Sequence, residues 1–176
     1  GWGAYSLPKA DMPNVKRLME DGAYTLKKRS ALPSSSAINW ASMFMGAGPE
    51  LHGYTEWGSK TPELPSRVLN KNGIFPTIFQ LLRDARPKAE IGCLYEWNGI
   101  KYLVDTLSLN YHYHVADYNK TPKELGNMAS AYIKEKHPTL VAICYDNPDH
   151  TGHTEGHDTP GYYEKLKELD TYCLLY

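Results

Sequence analysis

The stretch that decides the fold is Thr139-Leu140-Val141-Ala142-Ile143-Cys144-Tyr145, which the polar segment Asp146–Asp158 follows directly. Its apolar run is short, suits a β-strand and does not alternate with polar residues. Such a run is typical of a strand that is buried on both faces of a parallel sheet. We therefore expect an interior parallel strand at residues 140–145.

Helix and strand signals alternate on either side of this strand. Thr121-Pro122-Lys123-Glu124 is a capping box with proline at the first helical position, and Thr159-Pro160 begins a last helix. Further helices are predicted from Pro13, after Ser36 and from Pro76, and further strands at Tyr24–Ser30, Ala89–Tyr95 and Leu107–Val115. This alternation predicts the α/β class, as a three-layer αβα sandwich with a mostly parallel sheet.

The length and composition fit a single domain. The chain has 176 residues, of which 41% are hydrophobic and 22% charged, as is usual for a globular protein. Segment 46–73 is rich in Gly, Pro and Ser, which predicts a long loop over the site. The chain starts at Gly1-Trp2-Gly3 without a preceding strand and stops at Leu174-Leu175-Tyr176 inside a predicted helix. We therefore expect residues 1–176 to form a single partial catalytic domain, incomplete at both ends.

Charge and cysteine content exclude several classes of function. The 19 Lys and Arg residues nearly balance the 20 Asp and Glu residues, so we expect no partner such as a nucleic-acid duplex. The longest apolar run, Leu140–Cys144, is far too short for a membrane span. Cys93, Cys144 and Cys173 lie far apart and form no Cys-x-x-Cys, which argues against a disulfide framework and a thiolate zinc site. Oligomeric state cannot be read from these features.

Two polar segments lie where an α/β sheet binds ligands, beyond the carboxyl ends of its strands. In the first, Leu32–Trp40, a serine hydroxyl at a helix N-terminus would be stabilised as an alkoxide by the helix dipole, although such a serine is also a common helix cap. In the second, Tyr145–Asp158, carboxylates and imidazoles suited to zinc are dense, and one tight turn could aim Asp149 and His153 at one ion. The alternative for this segment is a solvated polar loop.

Three motifs in this order resemble a known family. Pro33–Asn39, Gly46–Gly53 and Asp149–Gly156 look like the alkaline phosphatase superfamily, and in particular its type I phosphodiesterase and nucleotide pyrophosphatase branch. Segment Met12–Ala23 resembles the first helix of that branch. The resemblance implies an alkaline-phosphatase-like fold and two divalent metal ions, with zinc as the expected metal.

The resemblance also implies a role for four residues. Ser36 matches the nucleophile, which is also a ligand of one ion, and Asn39 matches an asparagine that contacts a phosphoryl oxygen. Asp149 and His153 match two ligands of the other ion. The family's remaining ligands lie in an Asp-Gly pair, an Asp-His-Gly motif and a later His, none of which is in this sequence. Since Gly1 matches the glycine of that first pair, we expect these 176 residues to be inactive alone.

The resulting prediction is a metal-dependent hydrolase of phosphodiester or pyrophosphate bonds that forms a covalent Ser36 intermediate. Its substrate would be a small phosphate ester, and the resemblance slightly favours an extracytoplasmic location. The alternatives are a non-catalytic ligand-binding domain with the same fold, and a phosphomonoesterase or sulfatase of the same superfamily. The sulfatase motif Cys/Ser-x-Pro-x-Arg is absent after Ser36, which argues against the last of these.

Other side chains have open assignments at this stage. We expect His52 to hold its loop through hydrogen bonds, whereas His157 is either a solvated residue or one that contacts substrate or a metal ligand. Trp57 and Trp97 are either packed or available to stack on a nucleoside or sugar.

Overall fold

A computed structural model describes residues 2–116 and 121–173 of the chain. Gly1 and residues 174–176, on which the two terminal predictions rest, lie outside the described residues. The described α-helices are α1 (Pro13–Asp21), α2 (Ser36–Met45), α3 (Pro49–His52), α4 (Ile78–Ala85), α5 (Thr121–Lys136), α6 (Asp149–Glu155) and α7 (Pro160–Tyr172). The described strands are β1 (Ile91–Tyr95), β2 (Tyr111–His114) and β3 (Leu140–Cys144), and they form one sheet in the order β2-β1-β3.

All strand pairs in this sheet are parallel. Strand β1 lies in the centre, with Gly92 opposite Tyr111 of β2 on one side and opposite Val141 of β3 on the other. Helix α5 lies between β2 and β3 in the chain, and these two strands flank β1 on opposite sides. The α/β class with a parallel sheet is therefore confirmed.

Helices cover both faces of the sheet and make the three layers. On one face, Ile91, Cys93 and Tyr95 pack against a core that contains Ala41 and Phe44 of α2. On the other face, Leu94 packs against a core with α5 residues Leu125, Ala129 and Tyr132. A third cluster joins α7 to the N-terminal region through Tyr162, Leu166 and Met12.

Helix α7 also fixes the start of α1. The buried carboxylate of Asp170 accepts hydrogen bonds from the backbone N–H groups of Asn14 and Val15 at 3.0 and 2.8 Å. These are N–H groups of the first turn of α1, which have no partner within the helix. A side chain from near the C-terminal end of the described chain thus caps the first α-helix.

The structure corrects the prediction that residues 140–145 form an interior strand. In the described part of the sheet, β3 lies at an edge, and its residues Leu140–Ile143 are only half-buried. The run lacks alternation because each side of β3 meets a different helical layer: Ala142 packs on the α2 side and Val141 on the α5 side.

Two further strand predictions were wrong, one in its existence and one in its bounds. No strand forms at Tyr24–Ser30, where every residue is exposed. The segment buries no apolar face against the sheet, so nothing offsets the loss of conformational entropy that ordering it would require. The strand predicted at Leu107–Val115 is confined to β2, and Leu107 is 78% exposed in a short 3₁₀-helix.

Segment 46–73 contains α3 and otherwise has no helix or strand. Buried Asp105 holds it at one end by accepting hydrogen bonds from the side-chain amides of Asn70 and Asn72. No helix among the described residues is both long enough and apolar enough to cross a membrane.

Candidate active site

Ser36 is the first residue of α2 and is partly buried. The residue before it, Ser35, occupies the N-cap position, yet its side chain makes no capping hydrogen bond. The Ser35 hydroxyl is buried and has no hydrogen-bond partner among the described residues. Neither serine therefore acts as an ordinary side-chain cap, and the Ser36 hydroxyl stands at the positive end of the α2 dipole.

Asn39 ties the segment before Ser36 to α2. Its side-chain oxygen accepts from Ala31 N–H at 2.8 Å, and its amide nitrogen donates to the carbonyl oxygens of Ala31 and Ser35 at 3.2 and 3.0 Å. An amide group has two hydrogens to donate, and both are used here. In this arrangement Asn39 holds the turn that presents Ser36, and its contact with a phosphoryl oxygen stays a prediction.

The segment 46–73 reaches the N-terminus of α2. The backbone N–H of Ala37, next to Ser36, donates to the carbonyl oxygen of Trp57 at 3.1 Å. The Trp57 ring is 66% exposed and lies 6.1 Å, centroid to centroid, from the Trp97 ring. Trp97 follows β1 by two residues, so this chain of contacts connects the Ser36 turn to the carboxyl end of β1.

Asp149 and His153 lie one turn apart on α6, where the sequence indicated a tight turn. The Asp149 Oδ2 and His153 Nε2 atoms are 3.4 Å apart, and both side chains have solvent access. Zinc binds carboxylate oxygen and imidazole nitrogen at about 2.0–2.2 Å, so tetrahedral geometry places two such ligand atoms roughly 3.3–3.5 Å apart. The pair therefore fits two positions of one zinc coordination shell.

No third metal-binding side chain joins Asp149 and His153 in the described part of the chain. Within residues 2–116 and 121–173, no three His, Cys, Asp or Glu side chains converge as a metal-binding group. Catalytic zinc normally takes three protein ligands and a water. The presence of two ions and the identity of the metal therefore stay predictions.

Two acidic residues beside this pair were not singled out from the sequence. Burial raises the pKa of Asp146 above its ordinary value, and the charge of Asp149 raises it further, while His150 and His153 oppose the shift. Glu96, which is 1% exposed, follows β1 directly and accepts a hydrogen bond from Asp146 N–H at 2.6 Å. The only sequence signal for Glu96 is an acidic residue at the end of an apolar strand.

His52 is fully buried and fixes its own loop. Tyr54 N–H donates to His52 Nδ1 at 3.1 Å, so the ring proton is on Nε2, which lies 3.1 Å from the Ser42 hydroxyl. Burial lowers the pKa of this imidazole, which keeps it neutral. The ring packs 5.6 Å from Tyr54, so His52 has the contacts that the sequence led us to expect.

His157 lies against α6 and is exposed. Its ring is packed 5.2 Å from Tyr162, and a Cβ atom at Gly152 would come within 2.4 Å of it. Glycine at position 152 therefore permits the close approach of His157 to the helix that carries Asp149 and His153. A contact of His157 with substrate stays a prediction.

Both candidate segments are connected to the same end of the sheet. Glu96 contacts the turn before α6, and its neighbour Trp97 contacts the loop that meets the α2 N-terminus. This position matches the rule that α/β sheets bind ligands beyond the carboxyl ends of their strands. That the Ser36 hydroxyl itself faces Asp149 and His153 stays a prediction.

Solved structures with a similar fold come from animals and a bacterium. Murine ectonucleotide pyrophosphatase / phosphodiesterase 5, as an inactive variant in complex with AMP, matches 99% of this chain with a TM-score of 0.72 and 17% identity. The human protein of the same name matches 99% of this chain with a TM-score of 0.70 and 16% identity. Phosphonoacetate hydrolase from Sinorhizobium meliloti, in complex with phosphonoformate, matches 98% of this chain with a TM-score of 0.63 and 18% identity. The chain spans 48–49% of the length of these three structures.

A comparison with curated proteins gave no match. The sequence profile described as type I phosphodiesterase / nucleotide pyrophosphatase, in contrast, matches residues 1–173, which is nearly the whole chain. This chain belongs to the type I phosphodiesterase / nucleotide pyrophosphatase family.

Proposed function

We propose that the protein hydrolyses phosphodiester or pyrophosphate bonds of small phosphate esters, with Ser36 as the nucleophile. The observation that carries this proposal is the 3.4 Å separation of Asp149 Oδ2 and His153 Nε2 on α6, at the sheet end to which the Ser36 turn is also connected. Family membership supports the reaction class.

Each named residue has a separate task. Asp149 and His153 would hold one divalent ion, with zinc as the expected metal, and Ser36 would contribute its hydroxyl to a second. A divalent ion in such a position supplies positive charge that lowers the pKa of a hydroxyl and stabilises charge on oxygen. The Ser36 Oγ loses its proton, forms a bond to phosphorus and displaces one ester or phosphate oxygen, which leaves with that proton. Water then breaks the bond between Ser36 Oγ and phosphorus, which restores the Ser36 hydroxyl and releases a phosphate monoester.

The N-terminus of α2 contributes to the same step. Its dipole favours negative charge, both on the deprotonated Ser36 oxygen and on the phosphoryl oxygens. Asn39 acts there by holding the Ser36 turn. As the resemblance implies, it would also donate to a phosphoryl oxygen, for which one amide hydrogen has to leave the carbonyl oxygen of Ala31 or Ser35. Such electrostatic stabilisation is usually the largest single contribution to catalysis.

The test is hydrolysis of bis(4-nitrophenyl) phosphate with added zinc, measured on residues 1–176 and on the full gene product. Two ligands hold zinc weakly, so we expect negligible turnover from the 176 residues alone. The full gene product should be active, and Ser36→Ala should lower its rate at least about 10³-fold, because no other group replaces the nucleophile. His153→Ala should lower the rate and shift the zinc dependence to higher concentration.

Thr154→Ala is the matched control. Thr154 is exposed beside His153, and among the described residues its hydroxyl donates only to the carbonyl oxygens of His150 and Thr151. This variant should stay within about two-fold of the wild type, because surface changes of this kind alter little. A Ser36→Ala enzyme with full activity would contradict the nucleophile assignment. Inactivity of the full gene product toward phosphodiesters, together with retained ligand binding, would favour the non-catalytic alternative.

The location of the protein is part of the same proposal. The family resemblance favours an extracytoplasmic site of action, and the word ectonucleotide in the names of two structural neighbours agrees with it. Detection of the protein in a periplasmic or secreted fraction would support this location, and confinement to the cytoplasm would exclude it.

A further inference from the structure

We propose that Glu96 is a positioning residue that fixes α6, and with it Asp149 and His153, to the carboxyl end of β1; this inference rests on the proposed function. Glu96 is 1% exposed although it is a glutamate, and such residues are seldom fully buried without a specific partner. Its Oε2 atom accepts from the backbone N–H of Asp146, 50 residues away, at 2.6 Å.

From Asp146 the contact continues directly into α6. The Asp146 carbonyl oxygen accepts from the N–H groups of Asp149 and His150 at 3.1 and 3.4 Å, which closes the first turn of the helix. The side-chain oxygen of Asn147 accepts from the N–H and hydroxyl of Thr151 at 3.2 and 2.8 Å. Glu96 thus holds the N–H of the residue whose carbonyl oxygen accepts in the first turn of the helix.

A helix of this length needs such an anchor. Helix α6 has 7 residues, and isolated helices shorter than roughly 12 residues are marginal in water. Its two candidate ligands are one turn apart, so their 3.4 Å separation exists only while that turn is formed. Loss of the Glu96 contact should therefore fray α6 and separate the Asp149 and His153 side chains.

The backbone of Glu96 is held on both sides as well. Its N–H donates to the Cys144 carbonyl oxygen at the end of β3 at 3.1 Å, and its own carbonyl oxygen lies 2.9 Å from His114 Nε2 at the end of β2. The residue is fixed by all three strands while its side chain points to the α6 turn. This direction distinguishes a positioning role from general packing.

The test compares Glu96→Ala with Glu96→Gln in two measurements. One is amide hydrogen exchange of Gly152 and His153, and the other is a zinc titration followed by the NMR signals of the His153 ring. We expect Glu96→Ala to speed exchange in α6 at least about 10-fold and to weaken zinc binding about 10-fold, with β1 amides unchanged. Glu96→Gln should stay within about 3-fold of the wild type in both, because its side-chain carbonyl can accept from Asp146 N–H.

Asp105→Ala is the matched control, since Asp105 is also a buried carboxyl that accepts hydrogen bonds, but from the 46–73 loop. It should leave exchange in α6 and zinc binding unchanged. If Glu96→Ala does not fold, Glu96→Asp replaces it, because its shorter side chain withdraws the acceptor from Asp146 N–H and should loosen α6 alone.

Three results would overturn the inference: equal behaviour of the Ala and Gln variants, faster exchange spread evenly over the sheet, or α6 loosened equally by Asp105→Ala. Failure of the proposed function looks different. In that case the wild-type His153 signals would not respond to zinc, while the exchange measurements would still decide the role of Glu96.

Discussion

The contacts of Asn39 lead to a quantitative prediction for Asn39→Ala. The substitution removes three hydrogen bonds, of 2.8, 3.0 and 3.2 Å, to backbone groups of Ala31 and Ser35. At a net value of about 1 kcal/mol for each bond, the loss is about 3 kcal/mol. Alanine regains roughly 0.5 kcal/mol through its higher helix propensity. We therefore expect the free energy of unfolding to fall by about 2.5 kcal/mol.

The assay is urea denaturation followed by circular dichroism, with thermal unfolding as a second measure. A loss of about 2.5 kcal/mol should lower the melting temperature by roughly 5–10 °C in a domain of this size. Asn127→Ala is the matched control, because Asn127 is exposed on α5 and makes no hydrogen bond through its side chain among the described residues. It should change the free energy by less than about 0.5 kcal/mol.

Asn39→Asp separates the two roles of this residue. The aspartate keeps an acceptor for Ala31 N–H but brings a carboxylate against two carbonyl oxygens, so it should destabilise at least as much as alanine. A free energy of unfolding within about 0.5 kcal/mol of the wild type for both variants would refute the reasoning from the hydrogen bonds. A residue that only contacted a phosphoryl oxygen would give that result.

Two further predictions concern buried contacts. Because burial lowers the pKa of His52, the unfolded chain takes up a proton below about pH 6.5 that the folded chain does not. Stability should therefore fall as the pH drops through that value, and His52→Gln should weaken this dependence in denaturant titrations at several pH values. Gly92→Ala would place a Cβ atom 2.4 Å from the Tyr132 ring. That ring stacks on Tyr111, and its hydroxyl donates a hydrogen bond to Glu90. It should cost about 1–3 kcal/mol in the same assay, and a cost near zero would show that the ring moves freely.

The parts of the fold that the sequence predicted well are those with local signals. Proline at the first turn marked α1, α5 and α7, and Thr159 caps α7 through a hydrogen bond from Tyr162 N–H. The strand predicted at residues 24–30 does not form, because a short run of β-compatible residues becomes a strand only where a neighbouring strand can pair with it.

The candidate site was predictable only where its residues are close in sequence. Asp149 and His153 are four residues apart, so local pattern was enough to pair them. The contact between Glu96 and Asp146 spans 50 residues and depends on β1 and β3 being neighbours, which no local pattern encodes. The three backbone bonds of Asn39 were missed for a related reason, since they depend on how the chain before α2 turns back on the helix.

Two consecutive residues explain how one sheet end can serve both halves of the site. Glu96 and Trp97 follow β1 directly in a bend, and Trp97 packs on the α2 side of the sheet. Glu96 contacts the turn before α6, and Trp97 contacts the loop at the start of α2. A substitution at Glu96 should therefore disturb the metal-ligand segment, and one at Trp97 the nucleophile segment. A change within α6 alone, such as His153→Ala, should leave the Ser36 turn in place.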